Sequence, residues 1–496
     1  MEEIKSKYTA TIGLEIHAEM KTKTKMFCAC LNNPDEEKPN VNICPVCTGQ
    51  PGTLPVINKQ AVKNVLKMGL ALGAKLADFT EWDRKNYFYP DIPKGYQISQ
   101  YKYPLIIGGK LNGINITRVH LEEDTASSSH DTGDYSLVDF NRAGVPLMEL
   151  VTEPELHSGK ETADFARELQ LLLQYLGVGD ANMEKGEMRI EANISVSTTD
   201  KLGTKTEVKN INSFKAVEKA VAYEIDRQIQ VLESGGKIIQ ETRGWNEDKQ
   251  ATYSQRIKED SHDYRYFPDP DLPKMKVSEI PEFAEDILRK ELPELPWQKR
   301  TRYEKDYGIK AVDVEIFVRP GIISAFFENV CADFAGDRAL IKLASNYIIS
   351  DLLGLLKNQD SAQKAEGNSL RLTEYLIASR TSLGLLGDAS FASLIKMVAE
   401  SKISSRGAKD ILKIMFEEGG EPEKIAKEND LLQKSDLGEL EKIAEQIIID
   451  NPKVVADYKG GKEMAMMSLV GQGMKATKGS ANPQVLKEVF LKLLVK

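Results

Sequence analysis

No run of apolar residues in this 496-residue chain approaches the roughly 20 needed to span a bilayer, so the sequence predicts no transmembrane segment. Positive charge is also short. With 66 Lys and Arg against 75 Asp and Glu, the net charge is -9, which excludes a general electrostatic attraction to nucleic acid and leaves any polyanion to local patches. Five cysteines are too few for a disulfide scaffold in so long a chain. Missing too are a Gly-x-x-x-x-Gly-Lys-Ser/Thr phosphate loop, a protein-kinase signature set and any internal repeat or low-complexity tract. The start, Met1 to Tyr8, lacks the apolar core of a signal peptide and carries early acids unlike a transit peptide, so the cytoplasm is the expected compartment.

What is present is 41% hydrophobic and 28% charged, the composition of a globular protein long enough for roughly two to four domains. Two stretches are too rich in proline to be helices or central strands: Asn86 to Ser99, and Asp263 to Pro273 with its three aspartates, arginine, three aromatics and three prolines. Stiff, aromatic and acidic, they read either as walls of a polar site or as surface turns. Residues 1 to about 292 mix strands and helices. Thr11 to Met20 alternates, with Ile12, Leu14, Ile16 and Ala18 facing a core and Glu15, His17 and Glu19 facing away, and Met188 to Val196 repeats the pattern. Apolar stripes at Phe165, Leu169, Leu172, Leu173 and Leu176, and at Phe214, Val217, Val221, Ile225 and Leu232, predict two helices ending at Gly177 and Gly235. Beyond Glu291-Leu-Pro-Glu-Leu-Pro296 helical patterns dominate. The expected domains are 1–292, 293–405 and 406–496, an α+β domain followed by an all-helical domain and a small helical tail.

Four cysteines cluster as Cys28-Ala-Cys30 and Cys44-Pro-Val-Cys47, a spacing that can close a tetrahedral four-sulfur zinc site; a redox pair or buried thiols are the alternatives. Such a site leaves no open position and would brace a loop. Glu15 and His17 project from one strand face, where a carboxylate and an imidazole can share a metal or form an acid–base pair. His120-Leu-Glu-Glu-Asp124, Glu149 and Glu191 add acids. Alternation puts His120 and Glu122 on one face, so Glu122 is the better ligand than Glu123, and converging carboxylates invite magnesium, which suits nucleotide phosphates. Gly471-Gln-Gly-Met-Lys-Ala476 imitates a dinucleotide fingerprint but follows no strand. Its neighbours Lys475 and Lys478, with Lys459 and Lys462, form a small basic patch, either a phosphate contact or a solvated helix end.

Taken in order, Gly13-Leu-Glu-Ile-His17, Pro90 to Gln100, Asp139-Phe-Asn-Arg-Ala-Gly-Val-Pro-Leu-Met-Glu149, Val208 to Phe214, Glu241-Thr-Arg243, Asp263 to Asp271 and Leu469 to Pro483 resemble the motifs of the B-subunit family of the glutamyl/aspartyl-tRNA amidotransferases. The likeness covers essentially the whole chain. It implies a cradle-shaped α+β domain with a helical domain and tail, working in a heterotrimer with an amidase A subunit and a small C subunit. It implies ATP-dependent phosphorylation of the side-chain carboxylate of Glu-tRNA(Gln), Asp-tRNA(Asn) or both, then amidation by ammonia that the A subunit releases from glutamine. Glu15, His17, Glu122 or Glu123, and Glu149 would be catalytic, with Glu15, His17, Glu122 and Glu149 holding magnesium. Lys85, Lys94, Ser99, Arg142, Glu191, Lys209, Asn210, Arg243 and Arg265 would bind ATP or substrate, and Lys459, Lys462, Lys475 and Lys478 would contact tRNA. The chain departs from the family pattern twice: Glu191 stands where aspartate is expected, and no lysine precedes His130. An archaeal-type E subunit would need an inserted domain for which the length leaves no room, and a noncatalytic tRNA-binding scaffold is the reading from another class.

Overall fold

The computed structural model describes residues 6–129, 133–257, 264–358, 383–433, 437–477 and 481–495. The chain divides into two compact units, Met1–Pro296 and Trp297–Lys496. The first is α+β and the second, among the described residues, is helical apart from one isolated bridge between Ile403 and Leu432, as the expected fold class requires.

The first unit is built on a ten-stranded sheet. Its centre is β1 (Thr9–Glu19), which runs antiparallel to two strands distant in sequence, Pro146–Thr152 and Met188–Ser197. Labelled in chain order, the strands that carry the site are β2 (Asp83–Asn86), β3 (Tyr96–Ser99), β4 (Ile114–Glu123), β5 (Pro146–Thr152), β6 (Met188–Ser197) and β7 (Thr206–Ile211). Within the large sheet β4 pairs with β5 and β7 with β6, both antiparallel, and among the described residues only the pairing of β7 with Glu241–Asn246 is parallel. The predicted alternation holds: Ile12, Leu14, Ile16 and Ala18 on β1 and Met188, Ile190, Ala192, Ile194 and Val196 on β6 are all buried. Each large apolar side chain so buried stabilises the fold by about 1.5–3 kcal/mol.

Two helices cover part of this apolar layer, α1 (Gly159–Tyr175) and α2 (Phe214–Glu233). Ser158 caps α1 by accepting from Glu161 N–H, and the Glu161 carboxylate reaches back to His157 N–H, while Ser213 caps α2 at Ala216. Such caps are worth about 1 kcal/mol each. Both helices end at a glycine with positive φ, Gly177 and Gly235, as their sequences predict. They approach closely at Gly159, where a Cβ would lie 2.2 Å from the Glu218 carbonyl, so any side chain there would force them apart. The α2 stripe differs from its sequence reading. Val217 and Val221 are buried, but Ile225 and Leu232 are only half buried, and Glu224 and Gln228 take fully buried positions. Glu224 tolerates this because Arg227 binds both its oxygens, at 2.7 and 2.8 Å.

The two proline-rich stretches meet. Phe267–Pro268 adds as a short edge strand to β2, which pairs in turn with β3, an allowed place for proline because an edge needs no donor on its outer side. Asp263 lies outside the described residues.

In the second unit Phe317 stacks on Phe327 with ring centroids 4.0 Å apart, and Tyr303 packs edge-on against both. The helix over Arg338–Asn358 is long and apolar enough, by length and composition alone, to cross a membrane. It includes a π-helical stretch at Ile348–Leu352 and buries Ile341, Ala344, Ile348 and Leu352 as core residues. The expected division near 405 falls between Asp388–Ala399 and Ser405–Glu418, two helices that pack on each other. Helices from Leu437 to Val495 share a separate core of Leu440, Ala444, Leu469, Leu486 and Phe490. The glycines of Gly471-Gln-Gly473 sit inside the helix Met464–Ala476, which disposes of the dinucleotide imitation.

Candidate active site

The face of the large sheet opposite Ile12, Leu14 and Ile16 is polar. Register builds it: Glu149 on β5 stands directly across from His17 on one side and His120 on the other, and Glu191 on β6 stands across from Glu15. Directly opposed side chains share a face and touch. His17 Nε2 is 3.4 Å from both Glu122 Oε1 and Glu149 Oε2, and His120 Nε2 is 3.4 Å from Glu149 Oε2 and 3.9 Å from Glu122 Oε2. Two imidazoles and two carboxylates thus alternate around a nearly closed ring. Ser99 Oγ donates to Glu122 Oε2 at 3.0 Å, and Arg118 donates to Glu149 Oε1 at 3.1 Å.

Burial alone would push both histidines down, but the adjoining Glu149 and Glu122 carboxylates outweigh it and hold each at about 9. Burial pulls the carboxylates the other way and is likewise overcome: His120 and His17 keep Glu149 well below the usual range and Glu122 below it. At neutral pH the ring is two buried ion pairs.

Beside it lies a niche of oxygen donors. Glu15, Glu191 and Glu207 each place a carboxylate oxygen within 4.8 Å of the others, and Lys209 reaches in, 2.7 Å from Glu191 and 3.7 Å from Glu207. Burial and then the charges of Glu149 and Glu191 raise the Glu15 pKa. The four expected magnesium ligands do not converge on one point. They fall into two groups that share Glu149: Glu15, His17 and Glu149, and His120, Glu122 and Glu149. The all-oxygen group is the one whose chemistry fits magnesium best, while an imidazole is a ligand for softer metals. The buried Asn193 Oδ1, opposite Glu207 in the register, has no hydrogen-bond partner among the described residues, so a polar ligand would satisfy it.

One wall comes from the proline-rich stretches. Lys85 on β2 lies 5.0 Å from the Tyr264 ring centroid and 5.8 Å from that of Tyr87. Its pKa is raised because the Glu122 charge, with others, outweighs burial. Tyr266 stacks on Tyr101 at 4.3 Å, and Arg84 fastens the wall by donating to Asp269 at 2.7 Å and Asp271 at 3.1 Å.

Other expected site residues lie elsewhere. Glu123 points away from the ring, 2.6 Å from Lys94 Nζ and accepting Ile98 N–H, so strand alternation separates Glu122 from Glu123. Arg142 donates to the Thr125 and Ala126 carbonyls. Arg243 is held by Glu241 and Thr252, and Asn210 and Arg265 are exposed, each at positive φ. In the second unit Lys459 and Lys475 are exposed and Lys462 pairs with Asp457 at 2.9 Å. Lys478 and His130 lie outside the described residues.

Sequence reasoning placed His120 on the right face without a role and missed Glu207 and Arg118. Alternation with Lys209 along β7 was the available signal for Glu207.

Glu19, at the end of β1, is held at about 8 by burial and by the neighbouring Asp124, which Arg189 and Arg142 keep ionised. An acid raised from 4.5 contributes stability that is fully present below that value and lost as the pH rises through 8. The thermal stability of the first unit is therefore expected to fall between pH 5 and pH 8 by up to about 1.4 kcal/mol per pH unit from this group. Glu19→Gln, which mimics the protonated acid, should flatten that slope in melting curves, and an unchanged slope would exclude Glu19 as its source.

The four clustered cysteines also converge. Cys28, Cys30, Cys44 and Cys47 each place Sγ within 4.8 Å of the others. Cys44 N–H points at Cys47 Sγ, 3.2 Å away. Hydrogen bonding from Cys28 and the nearby Lys25 charge bring Cys47 down to about 5 against burial, while a bond to Cys47 and burial push Cys28 up, and burial lifts Cys30 to about 12. Four sulfurs so close that their ionisations oppose one another fit a thiophilic divalent cation. The loop is stitched to the turn before β5: the buried Asn141 accepts Val41 and Asn42 N–H, both at 2.8 Å, and donates to the Lys38 carbonyl.

Two family models match the chain: the GatB/GatE catalytic domain over residues 10–281 and the GatB domain over residues 325–494. A protein of Caldicellulosiruptor saccharolyticus, named as the B subunit of an aspartyl/glutamyl-tRNA(Asn/Gln) amidotransferase, is 45% identical over 500 residues, covering 99% of each chain. Proteins of the same name from Thermoanaerobacter pseudethanolicus and Gloeothece citriformis are 44% and 42% identical, and each alignment covers 99% of this chain and at least 98% of the relative.

Proposed function

The chain belongs to the GatB/GatE family, and on that premise we propose that it is the B subunit of a cytoplasmic tRNA-dependent amidotransferase that phosphorylates and amidates Glu-tRNA(Gln), Asp-tRNA(Asn) or both. The observation that carries this reading is the polar sheet face, where buried acids, imidazoles and lysines gather beside a rigid aromatic wall. A noncatalytic scaffold has no use for such a costly buried cluster. An E-type subunit with an inserted domain is disfavoured by end-to-end alignment with B-subunit relatives.

The substrate carboxylate is a poor electrophile because its leaving group would be oxide. Transfer of the ATP γ-phosphoryl to it gives ADP and an acyl phosphate; ammonia then attacks the carbonyl carbon and expels phosphate, leaving the amide. The ammonia would come from glutamine through an amidase A subunit, with a small C subunit completing the heterotrimer. Glu15, Glu191 and Glu207 are the residues that would hold magnesium. Held there, the ion would supply positive charge for the phosphate oxygens. Lys209 and Lys85 bring further fixed positive charge to the same face, which needs no reorganisation as the phosphoryl group moves. His17 and His120 are protonated at neutral pH and keep Glu149 and Glu122 ionised. Ser99 fixes the Glu122 carboxylate in place. The four cysteines would hold a structural zinc that braces the 28–47 loop, and Lys459, Lys462, Lys475 and Lys478 would touch tRNA phosphates without reading bases.

The test is co-expression with A and C subunits and conversion of each mischarged tRNA. Expected is ATP- and glutamine-dependent amidation of at least one. In the same assay, Lys459→Glu with Lys475→Glu should raise KM for tRNA several-fold at unchanged kcat. Failure to amidate either tRNA in an assembled complex with active glutaminase would overturn the reading.

A further inference from the structure

Lys25 is fully buried, at 0% exposure, and no carboxylate of the described residues lies within ion-pair distance of it. Its ammonium donates to the Phe140 carbonyl at 3.0 Å and points at Cys47 Sγ, 3.8 Å away. A buried amine needs polar partners, and besides the Phe140 carbonyl the group that Lys25 Nζ faces is the Cys47 sulfur. A divalent zinc with four thiolates carries a net charge of about -2, which an adjoining ammonium halves. The surroundings are shaped for this contact. Gly144 has φ +84°, a conformation glycine adopts freely, and a Cβ there would lie in ordinary contact with Cys47 Cβ at 3.4 Å and Lys25 Cδ at 3.6 Å, so this turn packs directly on both residues. Lys25 N–H bonds the Cys30 carbonyl, and Met26 N–H bonds the Gly144 carbonyl, which fixes the stem from both sides.

We propose that Lys25 is a positioning residue for the four-cysteine metal centre: its buried ammonium neutralises part of the thiolate charge and ties Cys47 to the Phe140–Gly144 turn. The inference rests on the zinc reading, since bound metal is what would hold all four cysteines as thiolates and make their charge large enough to need a further partner. Groups that orient and neutralise metal ligands typically change affinity by about 10- to 100-fold when removed.

The experiment is zinc release from the full-length protein to a chromogenic chelator, with zinc content measured beforehand. The native protein should hold about one zinc per chain and lose it slowly. Lys25→Met, similar in length and uncharged, should load but release zinc at least about tenfold faster, while Lys25→Arg should stay close to the native rate. Cobalt substitution supplies a second readout: the sulfur-to-cobalt charge-transfer band of Lys25→Met should shift and that of Lys25→Arg should not. Native-like release and an unshifted band in Lys25→Met would overturn the role of Lys25 while leaving zinc in place. So would an Arg variant as leaky as the Met variant. A native protein without metal would overturn the zinc reading itself, and the inference with it.

Discussion

Glu149→Ala is expected to cut tRNA-dependent ATP cleavage by about 10²–10³-fold, while the amidase subunit keeps its glutaminase turnover. One carboxylate here faces both His17 and His120 and also accepts from Arg118, so its loss leaves the two buried histidines with Glu122 alone as anion in the ring and takes away this partner of the part-exposed Arg118. Deleting one preorganised charge at a transfer site commonly costs about 10²–10³-fold, and Glu149 belongs to both of the histidine-containing metal-capable groups. The histidines should respond in step: without their main anion, burial lowers their pKa values from about 9. ADP release in the presence of mischarged tRNA measures the first effect, and histidine proton resonances followed with pH measure the second. Ordinary ATP cleavage in a folded Glu149→Ala complex would take the ring out of the chemistry.

If the four cysteines hold the proposed zinc, Cys47→Ser is expected to lower metal content from about one per chain to a small fraction, and to loosen residues 28 to 50 without unfolding the unit. In isolated zinc-finger peptides such a site contributes on the order of 10 kcal/mol of folding free energy. The loss should stay local because the hydrogen bonds of Asn141 and the helix cap at Asn58 hold the base of the loop independently of the metal. Hydrogen exchange across residues 28 to 50 reads the loosening, and metal analysis reads the stoichiometry. Equal protection with and without metal would assign the sulfurs to a packed thiol cluster.

The sequence reading succeeded where side-chain period alone decides the outcome. Strand alternation put Glu15 and His17 on one face, put Glu122 on the face of His120 and Glu123 on the other, and assigned the apolar face of β6 residue by residue. It fell short where the deciding fact is a long-range partner. Arg243 and Lys94 look on paper like free cations for phosphate, yet the distant Glu224 and Glu123 engage them. Likewise, Glu224 looks like a solvent-facing residue of an amphipathic helix until Thr252 and Arg243, both distant in sequence, close around it. Strand order decides which acids meet, and no local pattern carries strand order. Glu15, Glu191 and Glu207 become neighbours only because β1, β6 and β7 are adjacent.

That strand order also has a consequence for synthesis on the ribosome. The central strand, Thr9–Glu19, is the first to be made, but its two neighbours are Pro146–Thr152 and Met188–Ser197. At about 5–20 residues per second, both its backbone edges stay without their sheet partners for about 6 to 25 s before even the nearer partner is translated. An unpaired apolar strand is an aggregation template, and its pairing is slow because it closes long loops. The nascent unit therefore cannot fold progressively from its N-terminus, and slowed translation between residues 20 and 146 would lengthen its exposure to self-association.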